Sequence, residues 1–166
     1  MDKILLMKIY LFILALFLFG GSLFAQSHSG LNLGYLSTYP DGKTSTGFYA
    51  GFYYNAEITG DFSVQPAINY GRAGNANLLY LPVMLKFYWP DTDYNFQIGP
   101  QGTYILNDYA SSSDRLGMDL NIGLGYDILY NVFINARYGF KLIDSADVYP
   151  QSDFNTFNVG IGFSFW

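Results

Sequence analysis

From Leu116 to Ile128 the chain alternates without a break. Leu116, Met118, Leu120, Ile122, Leu124, Tyr126 and Ile128 are apolar, and Gly117, Asp119, Asn121, Gly123, Gly125 and Asp127 stand between them. A strand sends alternate side chains to opposite faces, so this segment has one apolar wall and one small, polar, charged wall. A tilted strand needs about 9–11 residues to cross a bilayer, whereas soluble strands have a mode of about 5–6. The polar wall carries Gly and Asn where a water-facing strand would carry Lys, Glu and Thr. The pattern predicts a membrane strand with lipid on one side and a crowded interior on the other.

Seven further segments alternate in the same way. Strand one, Leu31 to Tyr39, sets Leu31, Leu33, Tyr35 and Tyr39 against Asn32, Gly34 and Thr38. Strand two, Phe48 to Ile58, turns Phe48, Ala50, Phe52, Tyr54 and Ala56 outward, away from Gly51, Asn55 and Glu57. Strand three, Phe62 to Gly71, sets Phe62, Val64, Ile68 and Tyr70 against Ser63, Gln65, Ala67 and Asn69. Strand four, Leu78 to Trp89, opposes Leu79, Leu81, Val83, Leu85, Phe87 and Trp89 to Tyr80, Met84, Lys86 and Tyr88. Strand five, Tyr94 to Leu106, opposes Tyr94, Phe96, Ile98 and Tyr104 to Asn95, Gln97, Gly99, Gln101 and Thr103. The opening segment is strand six. Strand seven, Val132 to Leu142, has Asn135, Arg137, Gly139 and Lys141 on its polar side. Strand eight, Phe157 to Phe165, alternates Phe157, Val159, Ile161, Phe163 and Phe165 with Asn158, Gly160, Gly162 and Ser164.

An even strand count is what bacterial single-chain barrels have. The connections after strands two, four and six are short (Thr59–Asp61, Pro90–Asp93 and Leu129–Asn131). Those after strands one, three, five and seven are longer (Pro40–Ser45, Arg72–Asn77, Asn107–Arg115 and Ile143–Asp153). The expected fold is all-β: an eight-stranded antiparallel up-and-down transmembrane β-barrel with short periplasmic turns and longer extracellular loops. Lipid tolerates only helices and closed sheets, so an open sheet with this apolar face is excluded. Pro66, Pro82 and Pro100 fall inside strands and each removes a ladder donor, which predicts bulges at these sites.

Composition sharpens this picture. Aromatics make up 20% of the 166 residues while charged residues are 13%, against about 25% charged in ordinary soluble domains. The many Tyr and Gly suit a lipid-facing surface with aromatic girdles, for which Tyr39, Tyr54, Tyr70, Trp89, Tyr94, Tyr104, Tyr126 and Tyr138 are placed. A net charge of −5 argues against nucleic-acid binding, and the absence of Cys excludes disulfides and thiolate metal sites. At the N-terminus, Lys3 and Lys8 precede the apolar run Ile9 to Phe19, and Gly20, Gly21 and Ser22 lead to a cut after Ala25. Residues 1–25 are the expected secretory signal peptide and 26–166 the barrel domain. The destination is the outer membrane of a Gram-negative bacterium, with outer-membrane lipid as the surroundings and a monomer as the expected state.

The polar faces carry Glu57, Lys86, Asp119, Asp127, Arg137 and Lys141, three acids and three bases. A Lys or Arg at the lipid midplane costs roughly 2–4 kcal/mol, so these residues set the inward parity of their strands. If strands six and seven pair symmetrically about Tyr130, Asp119 lies opposite Lys141, and Arg137 opposite Gly123. An eight-stranded barrel is just wide enough to be filled by its own side chains, so the expectation is an ion-paired lumen without an open channel. The sharper alternative is a narrow pore or transporter for small or hydrophobic solutes, gated by Arg137 moving among Glu57, Asp119 and Asp127.

Chemistry has little to work with. His28 is the only histidine and stands ahead of strand one, far from Ser111, Ser112 and Ser113, so no nucleophile–imidazole pair is expected. The loop acids Asp108, Asp114, Asp144, Asp147 and Asp153 lack Asp-x-Asp-x-Asp spacing and read as solvated side chains rather than cation ligands. No catalytic, cofactor or metal site is expected, and no enzyme activity. A secreted lipocalin-like carrier would need its apolar faces turned inward and a charged exterior, which these polar faces supply poorly.

Strands four to seven also carry a resemblance. Leu81-Pro82-Val83-Met84-Leu85-Lys86-Phe87-Tyr88 resembles the "IPLLLKYY" strand of the PorT-like outer membrane β-barrel domain family, and Gln97-Ile98-Gly99-Pro100-Gln101-Gly102 its "GAGPYxG" strand. Leu124-Gly125-Tyr126 and Asn135-Ala136-Arg137-Tyr138-Gly139-Phe140 resemble its "GAGYE" and "LDARYxxGL" segments, and Val159 to Phe165 its closing "LGLGYxF". Gln101 departs from the family's frequent Tyr, and Trp166 extends past its usual terminal aromatic. The resemblance implies an eight-stranded outer-membrane barrel in which prolines at positions 82 and 100 are tolerated. It also implies a C-terminal signal for the barrel-assembly machinery at Phe163, Phe165 and Trp166, and it raises an accessory role in outer-membrane protein secretion. No ligand of the extracellular loops follows from it.

Overall fold

The alternation closes on itself. In a computed structural model, described over residues 27–40, 44–106, 116–143 and 154–165, every alternating segment is a strand. The elements are β1 (Ser27–Pro40), β2 (Ser45–Thr59), β3 (Phe62–Ala73), β4 (Ala76–Tyr88), β5 (Tyr94–Ile105), β6 (Leu116–Leu129), β7 (Val132–Ile143) and β8 (Phe154–Ser164). Each pairs antiparallel with its sequence neighbour, and β8 returns to β1 to complete a closed barrel. Closure leaves no edge with unpaired backbone groups, which a sheet apolar on its outer face requires. The proposed signal segment 1–25, Trp166 and the serines and acids of the two longest loops lie outside the described residues.

The outer surface is the apolar parity of every strand, with Phe48, Phe52, Leu81, Leu124, Ile134 and Phe140 all exposed. The inner parity is filled by side chains, and the filling has a simple rule: a large residue on one strand stands over glycines of others. A Cβ at Gly162 would run into the Phe133 ring, one at Gly160 or Gly34 into Tyr49, and one at Gly30 into Tyr53. An interior of this width has no room for two large residues at the same spot.

Three expectations are corrected. The connection after β3 is not a long loop: Gly74 and Asn75 alone separate β3 from β4, with Gly74 at φ 57° and its N–H donating to the Thr46 carbonyl at 3.2 Å. Glycine with positive φ at the first central position is the II′ hairpin arrangement, whose twist matches that of the strands. The second correction concerns the prolines, where register is unbroken on both sides. Instead, each proline loses rungs toward the preceding strand only. Pairing drops out between Tyr54–Asn55 and Gln65–Pro66, between Ala67–Ile68 and Leu81–Pro82, and between Val83–Met84 and Gly99–Pro100. A missing N–H removes a bond on the one side it faces and needs no extra residue. The bulges lie elsewhere, at Glu57/Thr59, Met118/Asp119 and Asp127/Leu129 near strand ends.

Third, β1 begins at Ser27, so His28 belongs to the barrel and pairs with Asn55. Its even-number parity continues that of Asn32 and Gly34, a signal visible in the chain once β1 is extended.

Candidate functional site

The lumen holds the six ionisable candidates, at three levels. At the end bearing the short turns, His28 Nε2 stands 3.2 Å from Glu57 Oε1. Lys86 on β4 is almost wholly buried, with its Nζ 4.4 Å from the centroid of the Phe133 ring. Asp127 lies beside them, within reach of Tyr88, and its Oδ1 is buried without a hydrogen-bond partner among the described residues. These side chains line a pocket of about 80 Å³.

One level deeper, Arg137 on β7 sits opposite Gly123 on β6. The glycine leaves space for the arginine stem, whose Cγ lies 2.7 Å from where a Cβ at position 123 would be. The guanidinium crosses the lumen: Nε donates to Gln97 Oε1 at 2.7 Å and Nη2 to Gln65 Oε1 at 3.1 Å. Charge-assisted bonds of this kind are the stronger class.

Toward the opposite end, Asp119 pairs in register with Lys141. Its Oδ2 accepts from Gln101 Nε2 and Thr103 Oγ1, both at 3.2 Å. Beside it an apolar cluster fills the interior, made of Leu36, Tyr49, Ala73, Leu78, Tyr80 and Ile105. Leu36, Leu78 and Thr156 have no exposed surface, and Asp119 is 5% exposed, so the described side chains fill this level.

The six ionisable residues therefore do not form one ion-paired network. Glu57, Lys86 and Asp127 gather at the short-turn end, Arg137 stands apart among glutamines, and Asp119 and Lys141 share the far end. Among the described residues, no carboxylate bonds to Arg137. Pairing a buried cation with amides avoids desolvating a second charge, which in a buried ion pair can cost more than the attraction returns. The residues that hold Arg137 and Asp119 were legible only as polar positions, because their partners depend on register across several strands. Phe163 and Phe165 face outward near the short-turn end, where the Phe165 N–H donates to the Ser29 carbonyl at 2.8 Å.

Solved structures share this architecture. Neisserial surface protein A (NspA) superposes with a TM-score of 0.52 at 12% identity, over 84% of this chain and 97% of that one. Ail, the attachment invasion locus protein of Yersinia pestis, superposes with a TM-score of 0.50 at 19% identity, over 84% of this chain and 99% of that one. The chain has the fold of the small outer-membrane β-barrels. A second structure of Ail, in complex with the heparin analogue sucrose octasulfate, matches equally, with a TM-score of 0.50. No family model matches the sequence, and no curated protein is significantly similar to it.

Proposed function

We propose that the protein is a monomeric outer-membrane barrel of a Gram-negative bacterium, exported under residues 1–25, which serves as a structural component or acts through its extracellular loops. The observation that carries this reading is the interior filled by side chains. Among the described residues, the Arg137–Gln97–Gln65 clamp, the apolar cluster around Leu36 and Leu78 and the buried Asp119 fill the lumen beyond the short-turn end. That favours a closed barrel over a pore or transporter. A non-enzymatic role fits the same picture, since the one histidine, His28, is engaged by Glu57.

Lipid surroundings are supported by the apolar outer face, and recognition by the barrel-assembly machinery by the aromatic end Phe163, Phe165 and Trp166. The PorT-like motifs favour a second reading, an accessory part in outer-membrane protein secretion. The attachment protein Ail lends weight to a surface-contact role, but its polyanionic ligand does not carry over easily. The two longest loops of this chain hold Asp108, Asp114, Asp144, Asp147 and Asp153 against Arg115 alone. Acidic loops repel sulfates and fit a neutral or cationic partner.

The test is fractionation followed by planar-bilayer recording. The protein should enter the detergent-soluble outer-membrane fraction, migrate faster on gels before boiling than after, and give no discrete conductance. Steady single-channel steps from the purified wild type would overturn the closed-barrel reading.

A further inference from the structure

The pocket at the periplasmic mouth holds an almost wholly buried ammonium, that of Lys86, beside a carboxylate, that of Asp127, with one oxygen toward Tyr88 and the other buried and open. Lys86 is 2% exposed, and its ammonium, with three donors to satisfy, meets the face of Phe133 and no acceptor among the described residues. Asp127 Oδ1 is buried and receives no donor. The two do not close on each other as an ion pair. Glu57 is already engaged by His28, so Asp127 offers the open acceptor. All these side chains line the same pocket. Buried polar groups are almost always satisfied, by protein, water or ligand, and an orphan donor and an orphan acceptor in one cavity call for a molecule that supplies both.

We propose that this pocket binds a small zwitterion, a short-chain α-amino acid, with its carboxylate on the Lys86 ammonium and its ammonium on the Asp127 carboxylate. Charge selects this class. A plain anion would gain Lys86 but face Asp127 and Glu57, and a plain cation would gain the acids but face Lys86; only a molecule with both signs suits each end. Size narrows it further. A cavity of about 80 Å³ matches a two- or three-carbon amino acid, and a larger side chain would have to project through its mouth. The Phe133 ring supplies an apolar flank that can cover a single methyl group. The site opens toward the short turns, so its ligand comes from the periplasm, and the proposal holds whether or not the outer loops have a partner.

The test uses the full barrel in detergent micelles at neutral pH, with amide chemical shifts as readout and glycine and L-alanine as probes. Both should give saturable shifts centred on Asp127, Phe133 and Asn55. Acetate and methylammonium, each holding half of the charge pattern, should bind about tenfold or more weakly, as expected for losing one charge-assisted bond. Lys86→Met and Asp127→Asn should each weaken glycine binding by about the same factor. Should either variant lose heat-modifiable migration, the shift map of the wild type decides alone. No saturable response to glycine or alanine, leaving water as the occupant, would overturn the proposal. So would shifts centred elsewhere, or an equal response to acetate.

Discussion

Arg137 and Gln97 meet across the interior at 2.7 Å, a guanidinium Nε donating to an amide oxygen. A cation buried in the middle of a barrel is thus held by neutral acceptors from β5 and β3 rather than by the acids nearby in sequence. Removing the acceptor strands the charge. Gln97→Leu should lower stability by about 1.5–3 kcal/mol, the usual worth of a hydrogen bond to a charged group. Gln97→Glu keeps an acceptor in place and should cost less. Urea unfolding in micelles, followed by tryptophan fluorescence, measures both.

Arg137 is not the only barrier in the lumen, which separates a clamp from a gate. Arg137→Ala should remain silent in planar bilayers, because Leu36, Tyr49 and Leu78 still fill the far end. Discrete conductance steps in that variant would show that the guanidinium alone keeps the barrel shut.

The fit between Phe133 and Gly162 predicts a compensating pair. Gly162→Ala places a methyl group in the Phe133 ring and should cost about 1–3 kcal/mol by overpacking. Phe133→Leu in the same chain should recover part of that loss. A double-mutant cycle on unfolding free energies gives the coupling, and strictly additive effects would refute contact between the two positions.

Pro100→Ala restores an N–H on the side facing β4, where pairing with Val83 is missing. Gaining a net hydrogen bond of about 0.5–1.5 kcal/mol is offset by a more flexible unfolded chain, worth about 0.4–1 kcal/mol. The expected outcome is a slowly exchanging amide at position 100 with little net change in stability. Hydrogen exchange observed by NMR tests it.

Leu124 faces outward and is 65% exposed. In lipid, Leu124→Arg near the midplane should destabilise the barrel by about 2–4 kcal/mol. The same change should be nearly neutral if water covers that face. Comparing unfolding in liposomes for the two proteins distinguishes them.

The strands and their inward parity could be read from the chain because a period of two survives any change in neighbours. The turn Tyr130–Asn131 pairs Leu129 with Val132, and it is the bulge at Asp127/Leu129 that brings β6 and β7 into register about Tyr130. The pairing of Asp119 with Lys141 and of Gly123 with Arg137 could also be read, as symmetry about that residue. Contacts reaching past the adjacent strand could not. Tyr49, Tyr53 and Phe133 share the polar parity, yet their role as fillers emerges only when Gly34, Gly30 and Gly162 are brought beneath them. The same limit hid Gln65 and Gln97 as partners of Arg137. The bulges expected at prolines failed for a different reason: a lost donor can be absorbed on one flank without shifting the ladder.

The proline gaps all fall between β2 and β5, while the junction of β8 with β1 keeps an uninterrupted run of pairs from Gly30–Ser164 to Pro40–Phe154. The missing rungs are thus gathered along one arc of the wall, away from the place where its two ends are joined. Breathing of the backbone finds ready-made openings on that arc and meets none along the join between first and last strand.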